Sequence, residues 1–271
     1  MVFTKATTMI RVVAWFSCGA ASAVAAKLAI QSGANVVVAY CDTFKREHPD
    51  NRRFFADCQR WFGQEILVLG NDEYERDTDV VFRKTRFLVG PKGARCTAEL
   101  KRKVRLGFQR PDDRVVIGYG AEEYERRHKA LQEAEPLVDF WPILYERGLT
   151  HDDCVAIVER AGIEIPAMYK LGYRNNNCIG CVKGQAGYWN KIKVDFPERF
   201  AEMAAIEREL GRVICKREWV EDGVRHLERV PLDRLPPDLG NYGSEPDISC
   251  GVICQSAALE IEDCDRGELL R

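Results

Sequence analysis

Two cysteines three positions apart, Cys178 and Cys181, lie in a stretch dense in asparagine and glycine, YRNNNCIGCVKGQ over residues 173–185. That spacing lets two thiolates reach one metal centre, and zinc and iron-sulfur chemistry are both open to it. A redox disulfide pair is a third use, but that motif usually opens a helix after a strand, whereas this one follows three asparagines. Two thiolates complete no site, so another element must supply more. Cys96, preceded by Gly93 and Arg95 and opening a basic segment, is the best placed. Cys250 and Cys254, near the C-terminus, could add a ligand or act as accessible thiols. Cys41, Cys58, Cys154 and Cys215 read as small buried hydrophobes.

A second stretch could bind an anion. Ser17, Cys18, Gly19, Ala20, Ala21 and Ser22 all carry small side chains, between an apolar run ending at Phe16 and an alanine-rich helical pattern stopping at Gly33. Backbone N–H groups at the start of that helix can approach a phosphate or sulfate closely, and the helix dipole favours the negative charge. The same small residues would also let a helix pack tightly on a sheet.

These groups need a scaffold. Residues 35–40, NVVVAY, form a continuous apolar run of the kind found in buried parallel strands, and the run leads into Cys41, Asp42 and Thr43. Ligands of open parallel sheets bind beyond the carboxyl ends of the strands, so Asp42 and Thr43 are expected at the same edge as the Ser17 loop. Residues 48–62 read as a helix with Phe54, Phe55, Cys58, Trp61 and Phe62 on one face, and 65–69 as the next strand. The βαβ rhythm predicts an α/β fold with a parallel, doubly wound sheet.

Farther along, residues 71–95 are polar and punctuated by Gly90, Pro91 and Gly93, and 97–109 read as a basic helix. Residues 114–118 read as a strand, with 118–127 as the loop at its end. Glu122, Glu123, Arg126 and Arg127 are then candidates for substrate contact, against the alternative of a solvated helix face. Thr150 with Asp153 resembles a capping box opening a helix to about residue 160. Residues 169–187 lack periodicity and read as a functional loop. Residues 188–210 form an amphipathic helix interrupted near Pro197. Beyond Gly211 the chain turns polar, and an irregular extension without its own core is expected.

Composition narrows the class. Among 271 residues, 46% are hydrophobic, enough for one substantial core, and 40 Lys and Arg nearly balance 42 Asp and Glu. No overall field draws the chain onto nucleic acid or a membrane, and RNA remains open only through a local basic patch such as Lys101, Arg102, Lys103 and Arg105. Eleven cysteines, with no apolar signal block or spanning segment, point to a cytoplasmic protein using thiol or metal chemistry rather than a disulfide framework.

Taken together, the motifs resemble a known group. Residues 17–22, SCGAAS, are similar to the phosphate loop (PP-loop) of the adenine nucleotide alpha-hydrolase superfamily, whose pyrophosphatase members carry Ser-Gly-Gly-x-Asp-Ser. They are closer to the looser Ser-x-Gly form of the phosphoadenosine and adenosine phosphosulfate reductases. Asp42 and Thr43 with His48, Pro49 and Asp50 resemble the reductase Asp-Thr-Gly and Pro-Glu-Thr segments. Arg95, Cys96 and Thr97 resemble their Cys-Cys segment, and residues 172–181 their Gly-Tyr-x-Ser-x-Gly-Cys-x-x-Cys. Ser249, Cys250 and Gly251 are similar to their C-terminal Glu-Cys-Gly with its catalytic cysteine. The matches run in the family's order from residue 10 to 254.

The resemblance implies a Rossmann-like nucleotide-binding domain over residues 1–171. Residues 172–271, with the cysteine-rich loop, a helix and the tail, would pack on it. It implies an adenine nucleotide, ATP or a sulfonucleotide, on the Ser17 loop with Asp42, Thr43 and Gly118. A 4Fe-4S cluster on Cys96, Cys178 and Cys181 would lie beside the reactive phosphate, with magnesium compatible. Cys250 and Arg126 are the catalytic candidates. An external thiol, a thioredoxin-like protein or a sulfide donor would be the partner, and a homodimer fits.

Four departures refine this. Ala21 stands where the pyrophosphatases have Asp, Arg95 stands where the reductases have the first of two adjacent cysteines, Ser249 replaces Glu, and Ile253 stands where His is expected. Three thiolates leave one iron open, as in superfamily members that thiolate nucleobases of transfer RNA. The expected activity is therefore ATP-dependent sulfur insertion into a nucleotide or nucleobase, with reduction of a sulfonucleotide to sulfite as the alternative. A zinc-bound nucleotide sensor is the reading from another class.

Overall fold

Val12 to Phe16 are apolar and buried because the strand Arg11–Phe16 (β1) lies in the middle of a sheet. The computed structural model describes residues 10–90 and 93–248, so Ser249, Cys250 and Cys254 lie outside the described residues. The chain divides into two compact units. One is built from residues up to Asp42 with Pro49–Leu69 and Val104–Leu171. The other is built from Thr43–His48, Gly70–Lys103 and the residues from Gly172 onward.

The first unit holds five parallel strands. After β1 come Asn35–Cys41 (β2), Ile66–Leu69 (β3), Arg114–Ile117 (β4) and Asp139–Phe140 (β5), in the spatial order β3-β2-β1-β4-β5. Phe16 pairs with Tyr40 on one side, and Trp15 pairs with Ile117 on the other. The chain thus builds outward from β1 in one direction and then restarts at β4. The switch point lies between β1 and β4, where open parallel sheets place their ligand crevice. This is the α/β, doubly wound, Rossmann-like arrangement expected.

Helix Ala20–Gln31 (α1) is buried along much of its length because alanine lets its backbone lie close to the strands. It also packs on helix His151–Arg160. That helix opens with the anticipated capping box: Thr150 Oγ1 accepts from Asp153 N at 3.2 Å, and Asp153 Oδ2 accepts from Thr150 N at 2.9 Å. Helix Asn51–Phe62 (α2) inserts Phe54 and Phe62 against Phe16, with ring centroids 6.3 and 5.8 Å apart. Cys41, Cys58, Cys154 and Cys215 are all buried. Burial holds the Cys58, Cys154 and Cys215 thiols well above their usual range, so they stay protonated and inert.

Two segments differ from expectation. Residues 118–127 are not all loop: a 3₁₀ turn over Ala121–Glu123 leads directly into helix Tyr124–Ala134, whose charged surface hides its period. The chain beyond Gly211 is not wholly irregular either. Strands Cys215–Glu221 and Val224–Val230 pair as an antiparallel hairpin in the second unit. Its two-residue turn puts Asp222 at φ 50° and Gly223 at φ 75°, the left-handed pair that matches strand twist.

Buried Glu207 anchors the hairpin's base by accepting from Ile214 N at 2.6 Å and Leu232 N at 2.7 Å. Removing it leaves two buried N–H groups unmatched, so Glu207→Ala should cost about 2–4 kcal/mol in urea unfolding. Burial pushes this carboxyl above its usual range. A raised acid stabilises the fold fully below its unfolded value, and that contribution is lost as pH rises through the folded value. The stability of wild type relative to Glu207→Gln should therefore improve as pH falls from neutrality toward 5, and a pH-independent difference would refute this.

Among the described residues, no helix is long and apolar enough to cross a membrane.

Candidate functional site

The first unit brings Ser17, Asp42 and Gly118 to one sheet edge, because they follow the carboxyl ends of the adjacent strands β1, β2 and β4. The loop between β1 and α1 is held from inside. Ser22 Oγ accepts from Ser17 N at 3.1 Å and donates to Gly19 O at 2.9 Å, and Ser17 Oγ lies 3.1 Å from it. Ser22 is therefore a brace of the loop, while Ser17 is exposed at its mouth. Cys18 is fully buried and has φ 56°, a left-handed conformation that favours glycine.

Two closer features went unread in the sequence. Tyr169 Oη accepts from Ala20 N at 3.3 Å, so a hydroxyl sits on the first turn of α1. Burial pushes that phenol up to about 12, which keeps it a proton donor at neutral pH. Gly118 meets α1 backbone to backbone: a Cβ there would lie 2.3 Å from both Ser22 N and Ser22 Cα. Only glycine allows β4 to end so close to the helix start.

The charges of the following segment are engaged locally. Arg126 is exposed and pairs with Glu123 at 3.1 Å, Arg127 pairs with the same carboxylate at 3.3 Å, and Glu122 accepts from His151 N at 3.0 Å. Asp42 is half-buried at the end of β2, its N–H donating to Leu69 O at 2.7 Å. Thr43 belongs to the second unit, where its hydroxyl donates to Glu47 at 2.5 Å.

Cys96, Cys178 and Cys181 all fall in the second unit. Cys181 is buried, and Cys178 and Cys96 are half-buried, the latter packed on Tyr74, Val81 and Leu100. The turn between the paired cysteines is fixed by its backbone. Ile179 N donates to Arg46 O at 2.8 Å, and Ile179 O accepts from Arg199 Nε at 3.2 Å. Gly180 takes φ 71°. Cys181 N donates to Tyr188 Oη at 2.9 Å, and that hydroxyl reaches Cys178 O at 3.4 Å.

Behind the turn, Arg46 grips Asp77 with two bonds of 2.7 Å, and Arg199 grips Asp79 with two more of 2.7 Å. Arg46 also reaches Asp79 at 3.1 Å, and Glu202 joins Arg199 at 2.9 Å. Burial alone would push the Asp77 carboxyl up, but Arg46 and the Asp79 N–H outweigh it and hold it below the ordinary carboxylate range.

Position 95 has a structural task. Arg95 pairs at 2.8 Å with fully buried Glu99, which Lys103 also reaches at 2.7 Å, and the intervening Ala98–Arg102 turn is π-helical. Downstream, Arg174 holds the approach to the tail. It donates to Tyr242 O at 3.0 Å and to Asp247 at 3.1 Å, and Asn177 Nδ2 donates to Ile248 O at 2.9 Å.

Among the described residues, no three Cys, His, Asp or Glu side chains form a group able to hold a metal ion. Cys178 and Cys181 share one turn and Cys96 falls in the same unit, but the three are not brought together as such a group. Their chemistry, soft thiolates without carboxylate, suits iron-sulfur or zinc rather than magnesium or calcium.

Fold and sites together define an α/β protein with a switch-point loop in one unit and a braced thiol pair in the other. No protein-family model matches the chain, and none of the curated proteins compared with it matches.

Proposed function

We propose that this chain is an enzyme of sulfur chemistry, similar to the phosphosulfate reductases, which binds an adenine nucleotide on the Ser17 loop and a 4Fe-4S cluster through Cys96, Cys178 and Cys181. The observation that carries the reading is the braced turn between Cys178 and Cys181, whose peptide groups are tied at Ile179 and Cys181. Preorganisation of this kind lowers the cost of ligation. The Arg95–Glu99 pair supports a three-thiolate set, because position 95 serves the fold and Cys96 has no cysteine beside it in the sequence. A cluster so held would offer an open iron position for sulfide.

The reaction favoured is exchange of a substrate oxygen for sulfur. The acceptor oxygen attacks the α-phosphate of ATP and pyrophosphate leaves; hydrosulfide from an external donor then attacks the activated carbon, and the C–O bond breaks as AMP departs. No net electrons move. The chain's own contribution would be to hold the phosphates at the first turn of α1, where the Tyr169 hydroxyl accepts from Ala20 N and can donate its own proton to an anion. Loss of that hydroxyl, in Tyr169→Phe, should weaken ATP binding about tenfold by calorimetric titration; unchanged affinity would remove Tyr169 from the site.

A second reading is favoured by the hold of Asn177 on Ile248, two residues before Cys250. In sulfonucleotide reduction the Cys250 thiolate would attack the sulfur, forming an S–S bond while the S–O bond to phosphate breaks. An external dithiol would then release sulfite and become a disulfide. Anaerobic incubation with ATP plus sulfide and total RNA, or with either phosphosulfate nucleotide plus thiol, separates the two. Sulfide-dependent AMP from ATP supports insertion. Sulfite without ATP use, abolished by Cys250→Ser, reverses the order.

A further inference from the structure

We propose that Tyr188 is the positioning residue of the Cys178–Cys181 metal arm. Its single hydroxyl closes the loop between the two ligands: it accepts from Cys181 N at 2.9 Å and lies 3.4 Å from Cys178 O, so both cysteine backbones are referred to one oxygen. This inference rests on the metal-binding reading of the pair.

The loop is shaped around this ring. Tyr188 is 3% exposed, and a Cβ on Gly184 would fall 2.0 Å from its Cδ1, so position 184 must be glycine for the chain to wrap the ring. Gly180 supplies the left-handed turn between the cysteines, where a Cβ would come within 3.2 Å of both Arg199 and Trp189. Helix Ala186–Asp195 carries the tyrosine, and its first N–H groups are capped by Glu245, which accepts from Tyr188 N at 2.9 Å. The hydroxyl is therefore held from a rigid element rather than from the loop it fixes. Groups just outside the ligands orient them, and losing one typically weakens metal binding 10–100-fold.

A neighbouring tyrosine supplies the control. Tyr173 lies against Tyr188 with ring centroids 6.0 Å apart, yet its hydroxyl donates to Asp195 at 2.8 Å instead of to the thiol loop. If the effect were general packing of the aromatic cluster, the two phenylalanine variants would behave alike.

The experiment reconstitutes wild type, Tyr188→Phe, Tyr173→Phe and Gly184→Ala anaerobically with ferrous iron and sulfide. It then follows bleaching of the visible band by an iron chelator, with thermal melting of the metal-free proteins alongside. Tyr188→Phe leaves the buried Cys181 N–H unmatched and should melt somewhat below wild type, staying folded at the assay temperature, but lose iron roughly 10–100-fold faster. Gly184→Ala, which displaces the ring while keeping the hydroxyl, should share that loss, and Tyr173→Phe should not. Wild-type bleaching in Tyr188→Phe overturns the assignment, as does an equal loss in Tyr173→Phe. A wild-type chain that takes up neither iron nor zinc overturns the metal reading itself, and the assignment with it.

Discussion

Arg199→Met should lower the unfolding free energy by about 3 kcal/mol and loosen the turn between Cys178 and Cys181. The guanidinium is almost buried, its side chain 10% exposed, and Asp79 is 4% exposed. Burial works against the Arg199 charge, but two bonds to Asp79 and one to Glu202 hold it firmly protonated. Breaking a buried pair from one side costs about 3–5 kcal/mol, because the remaining charge keeps its desolvation penalty without its partner. The low end applies here, since Arg46 still reaches Asp79 at 3.1 Å. The same substitution removes the donor to Ile179 O, so alkylation of Cys178 should speed up in the variant. A variant with wild-type urea stability and thiol reactivity would mean that the ionic lattice does not brace the turn.

Gly118→Ala should be the most damaging single-methyl change in the first unit. The added carbon would sit 2.3 Å from the backbone of Ser22, and backbone cannot swing aside as a side chain can. Either β4 or the start of α1 must shift. Overpacking of this kind costs about 3 kcal/mol, which for a chain of this size is a fall in melting temperature of roughly 6–12 °C. The shift would also disturb the Ser22 brace on Ser17 and Gly19, so ATP affinity should drop more than tenfold. Unchanged melting with unchanged affinity would show that the switch-point crevice is not where the nucleotide binds.

What could be read in the sequence follows from where each interaction lies along the chain. β1, α1 and β2 were legible because continuous apolar runs and an alanine-rich segment are local signals, and the Thr150–Asp153 box is complete within four residues. The hairpin after Gly211 was missed because Lys216, Arg217 and Glu218 leave its strands without an apolar alternation. The one signal available was the Asp222-Gly223 pair. Helix Tyr124–Ala134 was read only as the alternative of a solvated helix face, because it is largely charged and Gly120 at its approach gives no side-chain cap.

At the candidate sites, residue type was readable and bracing was not. Cys178, Cys181 and the small-residue loop announce themselves by spacing. Tyr169, Arg46 and Arg199 do not, because their partners lie 149, 31 and 120 positions away. Tyr188 is near in sequence to the pair it ties, but a tyrosine in an apolar helix face carries no mark of where its hydroxyl ends. Arg126 shows the converse: a charge beside a candidate loop drew attention, and its visible partner is simply Glu123, one turn away.

If Cys178 and Cys181 hold an iron-sulfur cluster, the visible spectrum of anaerobically purified protein, read with its iron and acid-labile sulfide content, should reveal it. The protein should be brown, with a broad band near roughly 400 nm that is lost together with iron and sulfide in Cys178→Ser and Cys181→Ser. A colourless wild-type protein, whether carrying zinc or no metal, would rule the cluster out.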